Sequence, residues 1–210
     1  MNVAETREKI MSSDEFVIDE ARKLQILYQL KREIRYGHER TTELHTESVA
    51  EHIYALHCLT DYFLPLENTN NTYNKYRVHQ MIQYHDIGEI ETGDIVAYKK
   101  TKEDYEEEVF AAKRVIAQLP ETMQTETIAW LDEFEDQKTI EAKFARAVDK
   151  FEPWIHCFNE TGKQTLLQNK FTLKMRLDYL DNSLEEFPIM KRFETVLDTL
   201  FIREGYFYSK

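Results

Sequence analysis

The sequence predicts an all-α fold. Gly and Pro are scarce, at 5 and 4 of 210 residues, where ordinary usage would supply about 25 together. So few breakers disfavour turn-rich sandwiches and barrels. Apolar residues recur at three- and four-residue spacing along most of the chain, the mark of helices with one buried face. Strand-like alternation is absent. With 42% hydrophobic and 31% charged residues, the chain can both fill a core and cover it.

Each helix has its own local reasons. Residues 14–36 read as the first, with Val17, Ala21, Leu24 and Tyr28 on one stripe, Ser13 or Asp14 as cap and Gly37 at the exit. The second starts at Ser48, where Ser48-Val49-Ala50-Glu51 is a capping box, S-x-x-E. Val49, Ile53, Leu56, Leu59 and Phe63 form its stripe, and Pro65 is expected to lie beyond its end. The Asn-rich stretch 67–75 reads as a loop. A third helix is expected over 76–90, with Val78, Met81, Ile82, His85 and Glu89 on one face and Gly93 at its exit. Residues 99–118 read as a solvated helix, carrying the i, i+4 pairs Lys99–Glu103 and Lys102–Glu106. Glu106, Glu107 and Glu108 are expected on its wet face. Helices over 121–135 and 139–159 follow, the latter with Ile140, Phe144, Val148, Phe151 and Ile155 buried and with Pro153 kinking or shortening it. Asn159-Glu160-Thr161-Gly162 reads as a turn, and residues 165–204 as the C-terminal helices. No repeat, low-complexity tract or boundary divides the chain, so one domain over 1–210 is expected.

Charge and composition narrow the function. A net charge of −12 argues against gripping a nucleic acid polymer, which needs clustered Lys and Arg. A small phosphorylated substrate remains compatible, because a bound cation supplies local positive charge. Cys58 and Cys157 lie far apart and in no CxxC pair, which disfavours a disulfide scaffold or zinc finger. The N-terminus is polar and no apolar run reaches membrane-spanning length, so a cytoplasmic protein is expected.

Five polar residues break the apolar pattern. In His85-Asp86-x-x-Glu89, helical spacing would put His85 and Glu89 on one face with Asp86 beside them. A carboxylate on a buried stripe must be paired or bound to a cation. His52 sits in the first turn of the second helix, and Asp149 interrupts the apolar helix over 139–159, with Ala142 and Ala145 preceding it on its face. His52, His85, Asp86 and Asp149 make a mixed N/O donor set. That set suits one divalent ion such as Mn, Co, Fe, Ni, Zn or Mg rather than a thiolate zinc site. On an octahedral ion, four protein ligands leave positions for water and a phosphate oxygen. The bland alternative is that each histidine is a satisfied core residue.

Together, Glu47-Ser48-Val49-Ala50-Glu51-His52, His85-Asp86-Ile87-Gly88-Glu89, Gly93-Asp94-Ile95 and Ala147-Val148-Asp149 resemble the HD-domain metal-dependent phosphohydrolases. The resemblance covers about residues 20–160 and is strongest to the branch of bacterial 5′-deoxynucleotidases and their eukaryotic relatives. It implies the HD helical bundle, with His52, His85, Asp86 and Asp149 as ligands of one metal. It further implies that Glu89 orients or deprotonates the attacking water and that Asp94 helps at the substrate or the nucleophile. Arg35 with Tyr36 would hold the phosphate and sugar, Arg40 being the competing candidate. No histidine lies between His85 and His156, which favours one ion over the larger clusters of other HD relatives. Lys99, Lys100 and Lys102 are further candidates for phosphate contact, against an ordinary solvated patch. The remaining histidines, His156 among them, are expected to be structural or exposed, and the tryptophans to be core. The expected substrate is a nucleoside 5′-monophosphate. Phosphodiester or signalling-nucleotide hydrolysis is the alternative activity, and a nucleotide-binding protein that keeps the metal or merely the fold the non-catalytic one. No membrane partner is expected, and self-association is left open.

Overall fold

The computed structural model describes residues 3–27, 47–95, 100–119, 121–180 and 182–209, and within them the chain is all-α, with no strand. It divides into two compact units, Met1–Thr72 with Ala147–Lys210, and Tyr73–Arg146. The division falls inside one helix.

The first unit begins with α1 (Val3–Ser12) and α2 (Asp14–Leu27). The polar α1 has no counterpart in the sequence expectations; Ile10 is its fully buried contact. The expected helix over 14–36 is described only to Leu27, and Tyr28, Arg35, Tyr36, Gly37, His38, Arg40 and His45 lie outside the described residues. α3 (Val49–Glu67) starts on Ser48 as expected: the Ser48 side chain accepts from the Glu51 N–H while the Glu51 carboxylate accepts from the Ser48 N–H. Pro65, however, stands inside α3, which runs on to Glu67. Proline forfeits one N–H donor near a helix end, and the burial of Leu64 and Leu66 outweighs that loss.

That extension places Glu67 where it is needed. The helix α11 (Pro188–Arg203) has Phe187 at its N-cap position, with no side-chain cap of its own. The Glu67 carboxylate supplies one from across the chain, accepting from the N–H groups of Ile189 and Met190 at 2.8 and 2.9 Å. Burial nevertheless pushes this carboxyl up to about 7, against the two backbone donors and Arg7.

α8 (Ile140–His156), α9 (Glu160–Gln168) and α10 (Leu173–Leu180) complete the C-terminal part. α8 continues past Pro153 to His156, and its Phe144, Val148, Phe151 and Ile155 are fully buried as the stripe predicts. Asn159–Gly162 opens α9 rather than making a turn: Asn159 is the N-cap, its side chain accepting from the Gly162 N–H. The core of this unit is built on Phe63, Phe151 and Phe193, whose rings meet edge-on at 5.0–6.3 Å. This geometry favours aromatic pairs beyond their area. Beside it, Arg176 is fully buried over the Trp154 ring, with Asp198 at 3.3 Å and Glu194 at 3.6 Å. Trp154 is thus core, as expected; Trp130, in the other unit, is only partly covered and meets Tyr76 edge-on.

The second unit holds α4 (Lys75–Tyr84), α5 (Glu89–Thr92), α6 (Lys102–Ile116) and α7 (Glu121–Asp136). Ala112, Ile116 and Leu131 form its small core, with Ile87 and Ile128 packed on it. The expected helix over 76–90 is broken. α4 ends at Tyr84, and residues 85–88 form a turn whose bonds tighten to i→i−3, Ile87 to Tyr84 and Glu89 to Asp86. Gly93 ends α5 at φ +71°, its N–H bonding to the Glu89 carbonyl, a conformation glycine adopts without steric penalty.

Candidate metal centre

Four ligand candidates lie in two pairs, one in each unit. In the first unit, the α3 residue His52 meets the α8 residue Asp149, with Nε2 3.3 Å from Asp149 Oδ1. The opposite edge of the ring, Nδ1, is 3.3 Å from Glu152 Oε2. Burial works to lower the His52 pKa, but the hydrogen bonds and charges of Asp149 and Glu152 prevail and hold it well above the ordinary histidine value. Positive charge is therefore favoured between these side chains.

In the second unit, the turn after α4 carries His85 and Asp86. Nδ1 of His85 is 2.9 Å from the Ile82 carbonyl oxygen. A carbonyl only accepts, so Nδ1 carries the proton and the lone pair is left on Nε2. That Nε2 is 3.1 Å from Asp86 Oδ2. A lone pair and a carboxylate this close repel unless a proton or a cation lies between them. The Phe134 ring, 5.2 Å from the imidazole, closes the other side.

The same arrangement thus occurs twice: an imidazole anchored through Nδ1, presenting Nε2 beside an aspartate oxygen. Metal-binding histidines are held this way, their second nitrogen bonded to a carbonyl or carboxylate. Each pair, an imidazole beside a carboxylate, offers the mixed donors that suit a borderline divalent cation, so the residues present fit a metal ion.

The tightened turn changes what Glu89 faces. On a continuous helix Glu89 would share a face with His85. With i→i−3 bonding it comes instead to Asp86, and both join Glu108 of α6, the carboxylate oxygens all within 4.8 Å. Burial first, then the charges of Asp86, Asp94 and Glu108, push Glu89 up to about 8, with Lys100 opposing. The expectation of a wet face over Glu106–Glu108 fails at its last residue. Glu106 and Glu107 are exposed, but Glu108 is largely covered and pairs with Lys100. The cause is Gly88. A Cβ there would sit 2.4 Å from the Glu108 carbonyl oxygen and 3.2 Å from the Ala112 nitrogen, so the turn rests directly on the α6 backbone. Gly88→Ala should accordingly lower the urea midpoint by the equivalent of about 1–3 kcal/mol, the usual cost of overpacking, since backbone cannot swing aside.

Of the other expected residues, Asp94 is exposed just after α5, near enough to Glu89 to act on its charge. Lys100 is committed to Glu108 and lies 4.7 Å from the Tyr105 ring centre. Lys102 is exposed and pairs with Glu106 at 3.3 Å, as its spacing predicted. Lys99 lies outside the described residues, as do Arg35, Tyr36 and Arg40. Sequence reasoning missed Glu47, Glu108, Glu152 and His156. His156, expected to be structural or exposed, is buried, with Nδ1 3.4 Å from Glu47 Oε1.

Comparisons with known proteins identify the family. A family model described as HD domain matches residues 27–187. The 5′-deoxynucleotidase HDDC2 of Bos taurus is 30% identical over 131 residues, 61% of this chain and 62% of that protein. Its Homo sapiens counterpart is 31% identical over 133 residues, with 61% and 62% covered. The aligned stretch therefore spans about three fifths of these relatives. A crystal structure described as a predicted metal-dependent phosphohydrolase from Magnetospirillum magnetotacticum MS-1 superposes with a TM-score of 0.66 at 25% identity, covering 90% of this chain and 95% of that one.

Proposed function

Because the chain belongs to the HD domain family, we propose that it is a metal-dependent phosphohydrolase releasing inorganic phosphate from nucleoside 5′-monophosphates. The observation that carries this reading is the repeated pair, an Nδ1-anchored imidazole with Nε2 against an aspartate, at His52–Asp149 and at His85–Asp86. The names of the relatives, 5′-deoxynucleotidase and predicted metal-dependent phosphohydrolase, support the chemical class.

In this reading His52, His85, Asp86 and Asp149 hold one divalent ion. When bound, the ion acts as a Lewis acid on a phosphoryl oxygen and acidifies water. Glu89 accepts the proton of the attacking water, for which its raised affinity for protons suits it. Attack on phosphorus breaks the P–O bond to the sugar. Asp94 holds the sugar hydroxyl or serves the second proton transfer, and Arg35 with Tyr36 holds phosphate and sugar. Neither cysteine is needed as nucleophile.

The test is phosphate release from a panel of ribo- and deoxyribonucleoside monophosphates, cyclic nucleotides and a diester, with the protein stripped of metal and reloaded with Mn, Co or Mg. Monophosphate cleavage restored by metal is the expected result. Cleavage of diesters alone, or monophosphate turnover that ignores metal, would overturn it.

A further inference from the structure

We infer that Glu152 is a positioning residue for His52: it holds the imidazole proton on Nδ1 and so presents Nε2, as a lone pair, to the ion beside Asp149. The inference rests on the reading above, in which His52 is a metal ligand.

Asp149 and Glu152 are three residues apart on α8, so they share a face. One imidazole lies between them, its Nε2 3.3 Å from Asp149 Oδ1 and its Nδ1 3.3 Å from Glu152 Oε2. A neutral imidazole has a single N–H to give. In the reading above the lone pair of Nε2 is the one offered to the ion beside Asp149, so the single proton belongs on Nδ1, toward the Glu152 carboxylate, whose side chain is 1% exposed against 20% for Asp149.

The surroundings of Glu152 hold it in that role. Its other oxygen, Oε1, is 3.9 Å from His156 Nδ1, one turn further along α8. That same nitrogen is 3.4 Å from Glu47 Oε1, which in turn lies 3.9 Å from His52 Nδ1. Two imidazoles, His52 one of them, and two carboxylates thus alternate in this cluster, with Glu152 between the two rings. Glu152 does for His52 what the Ile82 carbonyl does for His85, with one difference. The partner here is a carboxylate rather than a backbone carbonyl, so the two side chains fix the ring from opposite edges.

Glu47, Glu152 and His156 also have ligand atoms within 4.8 Å of one another, and a second ion there is the competing account. Such an ion would crowd the nitrogen whose proton the first account requires, so the two make opposite predictions.

The experiment uses the full chain. Zn(II)-loaded protein with 15N-labelled histidine is observed by NMR, and Co(II) binding is followed by calorimetry for wild type, Glu152→Gln and Glu152→Met. His52 should be metallated at Nε2, with a slowly exchanging proton on Nδ1, at one ion per chain. Gln keeps an acceptor but no charge, and Met keeps neither. Co(II) affinity should therefore fall in that order, by about 10-fold and about 100-fold, the range for lost partners of metal ligands. A residue that merely fills space would change melting temperature and leave affinity and the NMR signature alone. Equal affinity in wild type and in either folded variant overturns the inference, as does zinc on Nδ1 of His52. So does a second ion per chain that disappears in His156→Ala. Wild-type protein that binds no divalent ion overturns the metal reading itself, and the inference with it.

Discussion

Asp86→Ala is expected to reduce metal-dependent phosphate release by about 10³-fold or more, the loss of several kcal/mol of transition-state stabilisation that a metal ion supplies. Asp86 lies at the centre of the second-unit cluster. Its Oδ2 is 3.1 Å from His85 Nε2, and it groups with Glu89 and Glu108. Alanine removes the anionic donor that lies beside the His85 lone pair. Stability should move the other way. The Glu89 carboxyl is raised to about 8, burial being the main cause and the Asp86 charge the next. A carboxyl with a raised folded-state pKa costs stability as pH climbs from its ordinary value to the raised one. Removing Asp86 relieves part of that cost, so the metal-free variant should melt no lower than wild type at neutral pH. Phosphate release by stripped and reloaded protein, read beside a thermal melt, separates the effects. Turnover within 10-fold of wild type would remove Asp86 from the metal site.

What the sequence reveals and what it hides follow from how local each signal is. The start of α3 is legible because Ser48 and Glu51 satisfy each other's backbone within four residues. The stripe of α8 is legible because every third or fourth residue is apolar, and from Phe144 onward those residues are buried, Ile140 at the helix start being partly exposed. The end of α4 is not legible. The apolar spacing continues through His85, and nothing in the neighbouring residues marks a stop. The break belongs to Gly88 and the α6 backbone it touches, some twenty residues away. Glu108 is hidden for the same reason. A run of three glutamates reads as solvated, and only contact with the turn singles out the last of them.

Other features were written in the sequence but carried a second meaning. Asp149, Glu152 and His156 recur at spacings of three and four on a helix otherwise apolar on that side. That is a polar stripe, and Asp149 is only its first member. Asn159 with Gly162 fits a helix N-cap as well as a turn. Pro65 and Pro153 mark helix ends by propensity, yet burial of the residues around them carries both helices onward.

Glu89→Gln should keep divalent-ion affinity close to that of wild type and lose about 10²–10⁴-fold in turnover, the usual contribution of a positioned acid or base. Gln has the shape of Glu and cannot take a proton, and Glu89 is not among the four proposed ligands. Its surroundings make it a strong base for a carboxylate. Burial, then Asp86, Asp94 and Glu108, disfavour its charged form, with Lys100 opposing them. The deprotonated form is the one that works, so wild-type kcat should rise with pH along a limb at or below about 8, a cation at Asp86 drawing it lower. In Glu89→Gln that limb should vanish, leaving a flat residual rate over the same range. Stability answers in parallel. The wild-type carboxyl loses stability as pH rises from the ordinary carboxyl value of 4.5 to about 8, and the neutral amide does not, so the variant's melting temperature should depend less on pH. A Gln variant that retains full turnover, or one whose acid limb is unchanged, would show that the proton of the attacking water goes to another group.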